Sequence, residues 1–539
     1  MSQPVTAKTA SAQSALKSNR RLTRPLSKLV RLLLLGAAMQ IIYIIYIVAF
    51  PLISNTRAGG PAADLEILMR SFRWFAPIYT TGILLLFYLF WQAIKTVAQI
   101  RQQAAPALQP TRYGPRPTDA VTGQTFHRLK LFVLIFGLLF GFTLIWLYPI
   151  TANDLFRYIV RGRIWAVYHQ SPLITPPEAF PNDPYLPFAG EYADLASGYG
   201  PLWELVVQLP LRLGATDMVP ATVGLKLLIL LAYLLCAIFI GWGAIPESGT
   251  SLTALTFFAW NPLILMQFPG NGHNDIIFLL FVVLGIILWQ RQNWWGTALV
   301  LTLAALAKAP GAMMLPLFGI VFLRDEATWR QRIYKTALMG AVSLATIYLV
   351  YATFGPVTET IDGLQRTLSP ARRGGFSVAA TTRVVIREII PRHIAEPIPR
   401  TTARYLFILF YLWLLLQLWR NKLTLITAGF LAYFSQIILW RTFRIWYPTW
   451  IIPLAALHLT PAIFWRTLLF GLTAELSIIN YFVVWRWWLR NWSWGRTGSL
   501  SLYWNYWTIM YSLTVPWLVG IPLLGPIIIK RWMQRRLKA

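Results

Sequence analysis

Residues 131–150 read LFVLIFGLLFGFTLIWLYPI, an apolar run without a charge, and they deliver the chain into Thr151-Ala152-Asn153-Asp154-Leu155-Phe156-Arg157-Tyr158. A helix of about 20 such residues crosses the roughly 30 Å hydrocarbon core of a bilayer. Lipid admits only helices and closed barrels, because every backbone polar group must be satisfied internally. The run is continuous rather than alternating, which selects the helix. The fold class follows: all-α, a polytopic transmembrane helical bundle. Beyond the run, Phe156, Ile159, Val160 and residues 163–167 form a helical apolar stripe, with Arg157, Arg161 and Arg163 as its polar partners. One carboxylate, Asp154, is thus placed at the exit of a span, beside three arginines.

The rest of the chain agrees with this reading. Hydrophobic residues make up 57% and charged residues 12% of the 539, which leaves room for many similar runs. Candidate spans lie at about 30–53, 73–95, 131–150, 219–243, 251–268, 276–290, 294–308, 310–323, 334–354, 404–420, 423–440, 446–459, 463–484 and 504–529, about 14 in all. Several are short and are broken by Pro262, Pro269, Pro310 and Pro316, as in helices that line a cavity at bilayer depth. Residues 202–213 are apolar but too short to span, and read as an interfacial helix in the first long outer loop.

The net charge of +29 would raise nucleic acid as the partner of a soluble protein. Here residues 1–31 carry seven Lys/Arg and residues 530–539 carry five, with no acid in either, so the positive-inside rule accounts for them. Both termini are expected in the cytoplasm, and the partner is the lipid bilayer, with no nucleic acid. Cys236 is the only cysteine and lies in an apolar run, which excludes an intramolecular disulfide and a thiolate metal cluster. The organisation that follows is a disordered basic tail at 1–29 and two spans with a cytoplasmic linker at 30–130. The main membrane module, 131–354, carries the outer loop 151–218. An outer Arg-rich loop at 355–403 precedes C-terminal membrane helices at 404–539.

Four places carry residues suited to chemistry. Asp154 is either the N-cap of the helix beginning at Leu155 or a base held at the membrane surface beside Arg157 and Tyr158. The run Asn261-Pro262 … Pro269-Gly270-Asn271-Gly272-His273-Asn274-Asp275 stops one helix and starts another, with Asn274 or Asp275 as a possible cap. A histidine and an aspartate between two membrane helices are unusual company, so His273, Asn274 and Asp275 are binding candidates. Lys308, in Ala307-Lys308-Ala309-Pro310, either snorkels to an interface or binds phosphate. The loop at 355–403 holds seven arginines against four acids, including Arg372-Arg373, and Arg441 and Arg444 precede Ile445-Trp446-Tyr447-Pro448. Positive charge on an outer face fits a phosphate ligand. The Trp/Arg-rich run 485–496 reads as an interfacial belt. No Walker sequence, HExxH or dinucleotide fingerprint is present.

In their order, these segments resemble GT-C glycosyltransferases. Asn153-Asp154-Leu155-Phe156-Arg157-Tyr158, Gly162, Ser171-Pro172-Leu173 and Tyr199-Gly200-Pro201-Leu202-Trp203 look like the first outer loop of that superfamily. Trp260-Asn261-Pro262-Leu263 … Gly272-His273-Asn274-Asp275, the Lys308 segment and Trp446-Tyr447-Pro448-Thr449-Trp450 are similar to later motifs. The nearest likeness is to bacterial mannosyltransferases that use polyprenyl-phosphate-mannose, over roughly residues 130–460. Many of these have Asn-Pro-Tyr where this chain has Ser171-Pro172-Leu173, which leaves the acceptor and the sugar open.

The resemblance implies a GT-C-like catalytic module at 131–354 and an inverting transfer with Asp154 as base. A hexose, mannose by likeness, would pass from a polyprenyl-phosphate-linked donor to a lipid or glycan acceptor outside the cytoplasm of a bacterial plasma membrane. A phosphate leaving group needs electrostatic stabilisation more than a general acid. His273, Lys308, Arg372 and Arg373 are the candidates, in that order. No metal ligand is assigned. Some GT-C enzymes use a divalent metal (Mg or Mn), for which Asp275 would join Asp154. Two rival readings stay open: a transporter or flippase of lipid-linked saccharides, and an O-antigen ligase or polymerase that would not need Asp154. No internal repeat of the kind common in transporters is evident.

Overall fold

The structure, a computed structural model, describes residues 6–57, 74–104, 117–151, 153–214, 217–244, 249–326, 328–356 and, apart from 396 and 440–442, residues 390–479, with the isolated positions 358, 382 and 386. Within them the chain is predominantly helical, and the one extended contact is a single bridge between Pro51 and Leu147. The expected all-α helical bundle is what the chain forms. Among the described residues, seven helices are long and apolar enough to cross a membrane, or eight if a bent pair counts as one span.

The first three long helices are α1 (Thr6–Ala49), α2 (Phe75–Ala104) and α3 (Pro117–Leu144). α1 begins well before the apolar run, so the stretch expected as a disordered tail is helical from Thr6. No proline falls between Pro4 and Pro25, and Ala, Leu, Lys, Arg and Gln there are good helix formers, which favours continuing the membrane helix outward. Two short helices follow in the long loop after α3, α4 (Asp154–Ala166) and α5 (Pro201–Val207), the latter continued by a turn at Leu209–Arg212. The 202–213 segment is therefore two short pieces and not a span, as expected.

α6 (Met218–Ile238) is a central span, capped at its start by Asp217, whose carboxylate accepts from Met218 N at 2.7 Å. α7 (Gly249–Ala259) and α8 (Pro262–Leu265, extended by a π turn through Gly270) form the bent pair, at 45°. The bend sits at Asn261-Pro262. Proline cannot donate to the ladder, and the Asn261 side chain accepts from Leu263 N at 3.1 Å, which restarts the helix.

Four more helices follow: three shorter ones, α9 (Asp275–Gln290), α10 (Trp294–Ala307) and α11 (Met314–Asp325), and one of full length, α12 (Trp329–Ala352). The described chain ends in α13 (Pro397–Trp419), α14 (Leu425–Leu439), α15 (Ile452–Leu457) and α16 (Pro461–Ile479). Thirteen of the expected spans thus have a helical counterpart, but those at 276–290, 294–308, 310–323, 423–440 and 446–459 are shorter than a full crossing. The fourteenth, 504–529, lies outside the described residues, as do the 485–496 run and most of the 355–403 loop.

The core explains which helices are central. Trp260 is fully buried at the bend, packed against Phe136 and Phe140 of α3 at 5.4 and 5.5 Å, with its indole N–H donated to Val133 O at 2.9 Å. α12 lies at the rim, with Met339 its single buried residue among those described. The long loop after α3 packs onto the short helices. Gly200, just before α5, presses on the end of α10 so closely that a Cβ there would stand 1.9 Å from Leu306 O.

Because the atom in the way is backbone, Gly200→Ala is expected to cost about 1–3 kcal/mol and to lower the midpoint of thermal unfolding in detergent. Gly123→Ala, inside α3 where a Cβ meets nothing within 4 Å, is expected to leave it unchanged or raise it slightly. Equal midpoints for the two variants would contradict this packing of the loop.

Candidate active site

Two stretches of irregular backbone build the site: residues 145–151 with 153, between α3 and α4, and residues 266–274, between α8 and α9. Lys226 of α6, fully buried, joins them. Its Nζ donates to Ile145 O at 3.2 Å, Leu144 O at 3.4 Å, Gly270 O at 2.6 Å and also to Leu147 O. A second tie runs between side chains. Thr151 N donates to Asn271 Oδ1 at 3.2 Å and Thr151 Oγ1 to Gln267 Oε1 at 3.3 Å. Gln267 Nε2 donates in turn to Glu475 Oε1 of α16 at 2.6 Å, and Tyr79 Oη of α2 donates to the other carboxylate oxygen. Gly272 has φ +77°, which reverses the chain, and it packs on Leu155 where a Cβ would come within 2.6 Å.

These ties bring Asp154 beside the 273–275 turn. Asp154 does not cap its helix. It is the first residue of α4, Asn153 holds the cap position, and no side chain caps the end. The Asp154 carboxylate turns instead to Arg157, one helical turn on, whose Nη1 donates to Oδ1 at 2.9 Å. Burial alone would raise its pKa, but Arg157, with Arg444 and Lys308 beyond it, outweighs burial and holds the carboxyl below its ordinary range. Arg157 lies on the Tyr192 ring at 4.0 Å and Arg444 faces the Trp446 ring at 6.0 Å. Tyr158 is buried edge-on to Tyr199 and Trp203, each at 5.0 Å, and its hydroxyl points at Asn274 Oδ1 at 3.5 Å.

On the other side, Lys308 ends α10 in an extended conformation and reaches the turn. Its Nζ donates to Asp275 Oδ1 at 2.7 Å and to Asn274 Oδ1 at 3.2 Å, between the rings of Tyr199 and Trp450 at 5.8 and 5.9 Å. Lys308 is therefore an ion-pair partner inside the site and does not snorkel. Trp450 Nε1 donates to the same Asp275 oxygen at 2.5 Å. Asn274 occupies the cap position of α9 without a capping bond, so neither Asn274 nor Asp275 caps that helix. The His273 ring stacks on Trp446 at 3.9 Å and is fully buried; burial drives its pKa down to about 4, so the imidazole is neutral at pH 7.

Asp154, Arg157, Tyr158, His273, Asn274, Asp275, Lys308 and Arg444 thus share one site, whereas Arg372, Arg373 and Arg441 lie outside the described residues. Trp446 and Trp450, with Tyr192, Tyr199, Gln267 and Lys226, complete it without having been expected as side chains of the site. Tyr199, Trp446 and Trp450 stood in the sequence only as members of the motifs Tyr199-Gly200-Pro201-Leu202-Trp203 and Trp446-Tyr447-Pro448-Thr449-Trp450, with no role attached to them. Among the described residues, no group of three or more His, Cys, Asp or Glu side chains is placed to hold a metal. Asp154 and Asp275 are each engaged with a cation, a donor set that does not fit a divalent ion, and no step below is routed through one.

A second carboxyl lies behind Tyr199. Glu204 of α5 is 1% exposed and accepts from Ser197 Oγ at 2.5 Å, while Ser197 Oγ accepts from Tyr199 N at 3.2 Å. Burial raises the Glu204 pKa to about 7, against the hydrogen bond from Ser197 and the charge of Arg161.

Comparison with known proteins meets this geometry. The family model for the N-terminal domain of alpha-(1->6)-mannopyranosyltransferases matches residues 78–324. The chain is 26% identical over 229 residues to alpha-(1->6)-mannopyranosyltransferase A of Mycobacterium tuberculosis (strain H37Rv), a match covering 40% of this chain and 43% of the relative. The chain thus spans less than half the length of that relative. Over residues 78–324 it is mannosyltransferase-like, as the order of motifs implied. Asp154, the 273–275 turn and Lys308 fall inside the matched interval; Arg444, Trp446 and Trp450 lie beyond it.

Glu204 makes stability depend on pH. An acid whose pKa rises from an ordinary 4.5 to about 7 on folding binds more protons when folded. Its contribution is full below about pH 4.5 and is lost as pH rises through 7. Through Glu204 the thermal midpoint is expected to fall between pH 5 and 8, by the equivalent of about 3 kcal/mol at most, while His273, whose pKa drops on folding, acts in the opposite sense below about pH 6.5. Glu204→Gln should flatten that slope; an unchanged slope would contradict a protonated Glu204.

Proposed function

We propose that the protein is an integral-membrane mannosyltransferase that moves a mannosyl group from a polyprenyl-phosphate donor to an acceptor hydroxyl at the extracytoplasmic face. The observation that carries this is one carboxylate, Asp154, held ionised among Arg157, Arg444 and Lys308, where an apolar helix gives way to a polar loop. The likeness of residues 78–324 to mannosyltransferases supports the sugar, and the α-1,6 specificity of the relative supports the same link to a saccharide or glycolipid acceptor. The basic ends of the chain support cytoplasmic termini.

Each residue has its own part in the transfer. Arg157 occupies Asp154 Oδ1, which leaves Oδ2 to take the proton of the acceptor hydroxyl. The acceptor oxygen bonds to the anomeric carbon as the bond from that carbon to the phosphate oxygen breaks. The leaving polyprenyl phosphate keeps the electron pair, and the proton rests on Asp154. A base with a depressed pKa suits this timing, because the hydroxyl becomes acidic only as the new bond forms. In-line attack inverts the centre, so an α product requires a β-linked donor. Arg444 and Lys308 supply positive charge toward the departing phosphate, and the buried aromatic surroundings strengthen that field. His273, neutral at pH 7, gives hydrogen bonds and no charge. Lys308 gives less charge than expected, because Asp275 already offsets part of it.

Purified wild-type protein in detergent is expected to transfer labelled mannose from synthetic polyprenyl-phosphate-mannose to a mannoside acceptor. Asp154→Asn keeps the shape of the side chain and removes the base, and should lower the rate about 10³-fold or more. Unaltered expression and thermal midpoint of that variant, checked alongside, assign the loss to chemistry. Transfer at the wild-type rate would remove Asp154 as base.

A further inference from the structure

The 273–275 turn carries more polar capacity than the protein uses. Four of its side-chain atoms are buried without a hydrogen-bond partner: His273 Nδ1, His273 Nε2, Asn274 Nδ2 and Asp275 Oδ2. Buried polar atoms are nearly always paired, since leaving one unpaired costs about 1–3 kcal/mol. Four in three successive residues, exposed by 2% or less, are a concentration that calls for a ligand.

The hydrogen bonds already made fix what the remaining atoms are. Lys308 and the Trp450 indole are donors only, so the Asp275 oxygen they share is saturated and Oδ2 remains as an acceptor. Lys308 likewise requires the Asn274 oxygen, which orients the amide and leaves Nδ2 as a donor. A neutral imidazole has one donor and one acceptor. The turn therefore presents two donors and two acceptors side by side. Phosphate oxygens accept only, and an unpartnered carboxylate oxygen repels them. Sugar hydroxyls both donate and accept, and neighbouring hydroxyls on a pyranose match alternating partners of this kind.

We infer that His273, Asn274 and Asp275 form the subsite that reads the hydroxyl groups of the donor sugar, and that they do not bind its phosphate. This rests on the glycosyltransferase reading above. Trp446 covers the imidazole in the structure, and an indole face is also a surface on which the C–H side of a pyranose packs. The sugar enters as that ring moves off His273. Lys308 then also fixes the polarity of the subsite, by holding the oxygens of Asn274 and Asp275.

The test compares equilibrium binding of two labelled lipids, polyprenyl phosphate with and without mannose, to wild type, His273→Phe and Asp275→Asn in detergent. His273→Phe keeps a flat ring on Trp446 and removes both nitrogens; Asp275→Asn is isosteric and turns the free acceptor into a donor. The wild type is expected to bind the mannosyl lipid about 10-fold or more tightly than the bare phosphate. Each variant should bring that ratio to within about 3-fold, with affinity for bare polyprenyl phosphate nearly unchanged in His273→Phe and kept or raised in Asp275→Asn, which unmasks the charge of Lys308. A wild-type ratio near one, a ratio preserved in both variants, or a parallel loss for both lipids would each overturn the inference, the last by assigning the turn to phosphate. Two variants are used so that misfolding of one, seen by size exclusion, leaves the other to decide. Failure of the proposed function is separable: a sugar-dependent ratio without transfer by the wild type would sink the transfer reaction alone, and transfer with preserved ratios would sink the subsite alone.

Discussion

Lys226 holds together the two segments on which the site depends. Its side chain is fully buried and rests on carbonyl oxygens from the end of α3, the following loop and the end of the π turn at Gly270, with no carboxylate against it among the described residues. Carbonyls at the end of a helix have no partner within that helix and carry its partial negative charge. One ammonium answers both helix ends at once. A buried cation is costly unless its donors are satisfied, and here they are, so the arrangement stands only while both ends keep their places. Asp154 stands seven residues beyond the last of the α3-side carbonyls and Asp275 five beyond Gly270. The distance between the two acidic segments is thus set from behind, by a residue that touches neither.

The two carboxylates meet opposite surroundings. Asp154 shares its oxygen with one arginine at the edge of the polar loop and stays ionised, ready for a proton. Asp275 is fully buried and gives one oxygen to an ammonium and an indole together, which makes it an anchor for Lys308 and a fixed acceptor on its other side. Neighbouring aromatic rings, Tyr199, Trp446 and Trp450, exclude water from these charges and strengthen each interaction.

Much of this was legible in the sequence because charge in an apolar chain is conspicuous. Asp154, Lys308 and the His273-Asn274-Asp275 turn stand out against long uncharged runs, and the helical class follows from those runs alone. What the sequence hides is partnership. Asp154 reads equally well as a helix cap until the helix is seen to begin with it and its oxygen to face Arg157. Lys308 reads as snorkelling until it meets residues 33 and 34 positions earlier. Trp446 and Trp450 are indistinguishable from belt aromatics, since membrane proteins place tryptophan at both interfaces anyway. Span number is also poorly encoded, because a run of 14 to 16 apolar residues such as α10 or α9 has the composition of a crossing and not its length.

The position of Glu475 has a consequence for how the protein is made. Glu475 lies in α16, near the end of the described chain, yet it is the acceptor for Tyr79 of the second long helix and, through Gln267, the support of Thr151 and Asn271 at the base of the loop that leads to Asp154. Helices enter the membrane in chain order, N-terminal first. Throughout most of synthesis a tyrosine and a glutamine therefore wait inside the bundle for a partner not yet translated. The bundle assembles around an incomplete polar centre, and the arrival of α16 is what closes it. A ribosome stalled or a chain cut before residue 475 leaves every other residue of the site present and the loop that carries it unlatched, so competence is withheld from the nascent protein until its last described helix is in place.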